Sequence, residues 1–119
     1  MKQVSIGMIG LGTVGTGVAR LLTEHADRVA RRAGRRVHWA WAAVRNLDKP
    51  RDVRLEGVRL TTDVSQLIND PEVDIIIETM GGTQPALQFV LEALAAGKHV
   101  VTANKALLAE HGEIGRAHV

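Results

Sequence analysis

Residues 10–18 read GLGTVGTGV and follow directly on the apolar run VSIGMI. No other stretch constrains the chain as much. Glycines at positions 10, 12, 15 and 17 stand within eight residues, and each loses conformational entropy when fixed. Gly10-Leu11-Gly12-Thr13-Val14-Gly15 matches the pattern G-x-G-x-x-G. The pattern gains weight from its setting, a strand before it and a helix after it. In that setting Gly10 permits a tight turn. Gly12 lets the backbone approach a pyrophosphate, and Gly15 lets the first helix pack on the strand. N–H groups at the helix start then face the anion, with the helix dipole behind them. Gly17 is assigned to packing.

The rest of the chain repeats the alternation of strand and helix. Residues 4–9 are apolar on both faces, as a central parallel strand requires. A helical pattern runs from Thr13 through Val14, Val18, Leu21, Leu22 and Val29, with Gly34 as its stop. VHWAWAAV (37–44) reads as a second buried strand, with Val37, Trp39 and Trp41 on one face and His38, Ala40 and Ala42 on the other. Residues 45–57 are polar loop, and 58–60 form a short edge strand. Asp63 caps a brief helix, VSQLIND. VDIIIET (73–79) is the clearest strand. Thr83 or Gln84 precedes Pro85 at the next helix start, and Gly97 ends that helix. KHVVT is a further strand, and ANKALLAEHG opens another helix. Such alternation predicts an α/β fold, a Rossmann-like doubly wound parallel sheet covered on both faces.

Composition narrows the function classes. With no cysteine, the 119 residues offer neither disulfides nor thiolate chemistry. The apolar runs are too short to span a membrane. MKQVSIGMIG shows no cleavage-site pattern, so no signal peptide and a cytoplasmic location are expected. Residues 1–60 hold 12 of the 15 Lys/Arg and 5 of the 13 Asp/Glu, leaving +7 there and −5 beyond. The basic half carries few aromatics, only Trp39 and Trp41, so nucleic acid is not expected. RVARRAGRR reads as a solvated helix end, and a local site for a phosphorylated ligand is the better functional reading of the charge. The histidines at 25, 38, 99 and 111 lack metal-ligand spacing, so no metal is expected.

Three segments carry candidate chemistry. A second strand that ends in an acid reads a ribose 2′-hydroxyl, whereas this one ends Val44-Arg45-Asn46. Arg45 therefore favours NADP(H) over NAD(H), which stays possible, with Lys49 or Arg51 as helpers and Asp48 as a competing ribose acceptor. Thr79, at the end of the strand VDIIIET, and Met80, Gly81 and Gly82 after it stand where a switch-point crevice opens, and are expected to line the cofactor. Glu78 either caps a helix or faces the cofactor ribose. Lys105, in TANK at a helix start, sits unfavourably with the helix dipole and so suggests a task, binding an anion or donating a proton. EIGRAHV (113–119) fits no element and looks like a sequencing adapter read in frame. The expected division is therefore a nucleotide-binding domain over 1–112 and a non-native tail over 113–119.

Taken together, GLGTVGTGV, AAVRNLDKPR, ETMGG followed by PA, and GKHVVTANKALLAEHG resemble the N-terminal NAD(P)-binding domain of homoserine dehydrogenase, in order and spacing. The resemblance covers nearly the whole chain up to Gly112. It implies interconversion of L-homoserine and L-aspartate 4-semialdehyde on the route to threonine, methionine and isoleucine. It maps the family's cofactor loop onto Gly10 to Gly15, with Thr13 and Val14 in contact. The adenosine-phosphate arginine maps onto Arg45 and the lysine beside the nicotinamide onto Lys105. It places the second catalytic lysine, the substrate carboxylates and the dimer-forming sheet outside these residues, implying a homo-oligomer in the whole enzyme and essentially no turnover by the 119 residues alone. Two alternatives stand beside it. One is another Rossmann oxidoreductase that reduces a carbonyl in amino-acid biosynthesis. The other is a non-catalytic dinucleotide sensor, which would need no protonic group at Lys105.

Overall fold

The computed structural model describes residues 3–81 and 84–103. Lys105, the helix expected over residues 103–112 apart from Ala103, and the boundary at Gly112 with its tail lie outside the described residues, as do Gly82 and Thr83. The elements run β1 (Gln3–Ile9), α1 (Thr13–Glu24), α2 (Ala26–Ala33), β2 (Arg36–Ala43), β3 (Arg59–Thr61), α3 (Val64–Ile68), β4 (Ile75–Glu78), α4 (Ala86–Ala95) and β5 (His99–Thr102). The five strands form one sheet in the order β3-β2-β1-β4-β5, and every neighbouring pair is parallel. The chain thus starts at the centre, winds outward to the β3 edge, and returns to the other side of β1. This is the expected doubly wound topology, with its order reversing between β1 and β4.

Each face of the sheet has its own core. Ile6, Met8, Trp39 and Ala42 pack with Ala19 of α1 on one side. On the other, Ile9, Trp41, Ile76 and Val100 pack with Leu67 and Ile68 of α3 and Val90 and Ala93 of α4. Met8, Ile9, Leu67, Ile68 and Ile76 are among the largest fully buried side chains. Each such side chain contributes about 1.5–3 kcal/mol of transfer free energy. Gly7 lets α3 approach the central strand, because a Cβ there would stand 2.5 Å from Leu67 Cδ2.

Several sequence expectations hold. Asp63 caps α3 by accepting from the Ser65 N–H, and Gly34 and Gly97 stop their helices at φ +70° and +78°. The edge strand and β4 appear with slightly shifted ends, and Pro85 stands as the N-cap of α4.

Three expectations are corrected. The single helix from Thr13 to Gly34 is two helices, broken at His25 (φ −122°, ψ 33°). The cause is the lapse of the apolar stripe after Leu22. α2 buries no residue, and Val14 and Leu21 are themselves 51% and 54% exposed. Trp39 and Trp41 do not share a face. The register of β1 on β2 steps from Ile6–Trp39 to Gly7–Trp41, so Ala40 is an extra residue that turns Trp41 to the opposite core. Gly17 serves no packing among the described residues, since a Cβ there would meet none of their atoms within 4 Å.

Candidate functional site

An open crevice of about 770 Å³ lies at the carboxyl ends of β1, β2 and β4. Its floor is the turn that follows β1. Gly10 adopts φ +99°, a conformation that L side chains rarely adopt, and its N–H donates to the Ala43 carbonyl at 2.9 Å. Thr79, just past β4, fastens the turn from the other side. Its hydroxyl lies 3.1 Å from the Ile9 carbonyl and 3.0 Å from the Gly10 carbonyl, and it donates to this pair. Gly15 fits under this knot. A Cβ there would stand 2.5 Å from Gly10 O and 2.7 Å from Thr79 Oγ1. The sequence assignment of Gly15 to helix–strand packing is thus met in detail.

Gly12 has a different reason to be glycine. It is the N-cap of α1, lines the crevice, and has φ −79°, which any residue adopts. Among the described residues, an added Cβ would meet no atom within 4 Å. Neither backbone conformation nor packing demands glycine there; the free volume faces the crevice. No side chain caps the first turn of α1 and no acid lies within it. The N–H groups of that turn are the ones a helix leaves without internal partners. The lip of the crevice therefore offers backbone donors to an anion, and close approach is open at Gly12.

The third wall is the loop after β2. Arg45, Asn46, Lys49 and Arg51 line it. Among the described lining residues there are three cations and no carboxylate, so the wall suits a second anionic group. Asp48, the competing acceptor, is not among the lining residues; its N–H donates to Asn46 Oδ1 at 2.9 Å. Opposite, Met80 and Gly81 continue the wall begun by Thr79, and Pro85 and Phe89 of the α4 start close it.

Of the sequence candidates, the crevice brings together Gly10, Leu11, Gly12, Arg45, Thr79, Met80 and Gly81. Thr13 and Val14 are exposed on the first turn of α1 and are not among its lining residues; Gly15 is buried behind it. Lys105 lies outside the described residues. Glu78, expected either to cap a helix or to face the cofactor ribose, is not among the residues that line the crevice. It is fully buried and accepts a hydrogen bond from the Thr102 hydroxyl at 2.5 Å, joining β4 to the end of β5. Thr62, Val64, Pro85 and Phe89 were not singled out as site residues. Thr62 follows the end of β3 directly, so the strand-end rule applied to that short strand would have found it. Among the described residues, no group of His, Asp and Glu could hold a metal, and no helix is long and apolar enough to cross a membrane.

A parallel sheet of order 3-2-1-4-5, with a glycine turn opening onto a crevice at its switch point, defines a dinucleotide-binding domain of the Rossmann class. Comparison with known proteins sharpens the class. The family model "Homoserine dehydrogenase, NAD binding domain" matches residues 10–117. The chain belongs to that family. It is 43% identical to homoserine dehydrogenase of Bacillus subtilis over 112 residues, covering 94% of this chain and 26% of that protein. With homoserine dehydrogenase of Corynebacterium glutamicum the identity is 48%, over 92% of this chain and 24% of the relative. The crystal structure of a homoserine dehydrogenase from Thiobacillus denitrificans superposes with a TM-score of 0.87 at 47% identity, covering 98% of this chain and 27% of that one. The chain spans about a quarter of the length of the curated relatives it matches.

Proposed function

We propose that this chain is the cofactor-binding part of an NADP(H)-dependent homoserine dehydrogenase, interconverting L-homoserine and L-aspartate 4-semialdehyde. Gly12 is the observation that carries the site. A glycine with ordinary backbone angles and empty space where its side chain would be is explained by a ligand backed against it. The dinucleotide's pyrophosphate rests on the α1 start, and its ribose 2′-phosphate faces Arg45 and Lys49. When bound, the dinucleotide supplies or accepts the hydride. The chain's own groups do the rest: Gly10 and Thr79 hold the turn, Met80 and Gly81 flank the cofactor, and Lys105 orients the substrate or supplies a proton to its oxygen. The remaining wall of the substrate site, and the assembly into oligomers, belong to the part of the relatives beyond the match.

The test uses a polypeptide of the relatives' full length carrying these residues. It is expected to reduce NADP⁺ with homoserine. Lys105→Ala is expected to lower kcat by at least about a hundredfold, with the NADPH dissociation constant little changed. Wild-type kcat in that variant would remove Lys105 from the reaction. No homoserine-dependent reduction in the parent would overturn the assignment of substrate.

A further inference from the structure

The cationic wall of the crevice has no regular secondary structure, and residues 45–50 are all exposed. Such a segment would present its charges in many arrangements unless something fixed it. Arg51 does so from within. Its Nη1 donates to the Lys49 carbonyl at 2.8 Å and its Nη2 to the Asn46 carbonyl at 2.5 Å. The loop thus curls around one guanidinium, and the Asn46–Asp48 turn tightens the curl. The next residue is tied outward. Arg20 of α1 donates through Nε and Nη2 to the Asp52 carbonyl at 3.2 and 3.1 Å, and pairs with the Asp52 carboxylate. The wall is therefore sewn at adjacent residues, to itself and to the helix whose N-terminus forms the crevice lip.

We infer that Arg51 is a positioning residue that sets dinucleotide selectivity by clamping the loop that carries Arg45 and Lys49. This rests on the NADP(H) reading above and gives Arg51 a task other than direct contact with a phosphate. The planar fork is what the task requires, because one guanidinium reaches two carbonyls in fixed directions. An ammonium keeps the charge and loses the fork. Arg51→Lys therefore separates clamp from charge, and Arg51→Ala removes both.

The experiment is done on the 119-residue chain, with calorimetric titration by NADPH and NADH and, without ligand, limited trypsin digestion followed at the Arg45–Asn46 bond. Arg51→Lys is expected to weaken NADPH binding at least about fivefold, the loss of one good charged hydrogen bond, with NADH binding unchanged. Cleavage after Arg45 is expected to accelerate in both variants. An Arg51→Lys variant with parental NADPH affinity beside a weakened Arg51→Ala would make Arg51 a plain charge and overturn the clamp. Equal weakening for NADH would overturn its part in selectivity. Equal binding of both dinucleotides by the parent would instead sink the 2′-phosphate reading. The clamp would still be decided there by digestion, since unchanged cleavage after Arg45 in Arg51→Lys contradicts it.

Discussion

Gly12 and Gly15 belong to one motif and have opposite reasons to be glycine. At Gly15 any side chain collides with backbone, Gly10 O at 2.5 Å, so the neighbour cannot swing aside. Gly15→Ala is expected to destabilise the chain by about 1–3 kcal/mol in denaturant unfolding, the usual range for overpacking. At Gly12 nothing among the described residues objects. Gly12→Ser supplies a better N-cap than glycine, so its unfolding midpoint is expected to stay level or rise. Its hydroxymethyl group occupies the crevice lip, so dinucleotide affinity is expected to fall at least about tenfold by calorimetry. A Gly12→Ser chain that binds normally would mean the lip holds no ligand. The motif was legible in the sequence because glycine spacing reports backbone demands. Glu78 was not, because a strand-end carboxylate looks the same in sequence whether it faces a ligand or is buried against Thr102.

Among the elements, strand identity was easily read, and the errors arose where one strand's period broke. Strict alternation puts Trp39 and Trp41 together; the extra residue at Ala40 separates them, and no local pattern announces it. The displaced Trp41 is put to use. Its Nε1 donates to Asp70 Oδ2 at 2.7 Å, and Arg59 of β3 stands 5.2 Å from its ring centroid. The Trp41 hydrogen bond, the Glu72 N–H, and the charges of Arg59 and Lys98 together hold the Asp70 carboxyl below the usual carboxylate range, outweighing desolvation. A carboxyl so lowered stabilises the fold above the unfolded-state pKa of about 3.9, and that contribution disappears as pH falls through the lower folded-state value. Asp70→Ala leaves a buried indole N–H without its acceptor and is expected to cost about 1–3 kcal/mol at pH 7. The gap to the parent is expected to narrow below about pH 4, in urea unfolding followed across pH. A gap that stays constant down to pH 2 would contradict the ionic part of this node. The break at His25 has a similar lesson. Val29 extends the helical spacing on paper, but Thr23, Glu24 and His25 carry no apolar side chain across the break, and the helix that follows buries no residue.

At the scale of the whole molecule, sheet order converts scattered motifs into one site. Residues 10–12, 45–51 and 79–81 are distant in sequence and meet because β1, β2 and β4 are adjacent and parallel, with their carboxyl ends on one side. That convergence was legible in advance, since alternation of strand and helix implies it. The α4 contribution of Pro85 and Phe89 was less so, because it depends on where a helix start lies against a neighbouring strand end. The same arrangement leaves apolar side chains at the surface. Val14 and Leu21 on α1 and Val101 on β5 are 51%, 54% and 48% exposed. The crevice itself combines an uncapped helix start with a wall of three cations and no lining carboxylate, two anion-seeking surfaces set apart on one ligand path. The most direct measurement is a calorimetric titration of the 119-residue chain with NADPH and with NADH, for the parent and Arg45→Ala. Parent binding is expected to favour NADPH by about tenfold, one charge-assisted phosphate contact, and Arg45→Ala is expected to erase that preference while leaving NADH affinity as it was. Failure of a folded chain to bind either dinucleotide would contradict the assignment of the crevice as the cofactor site.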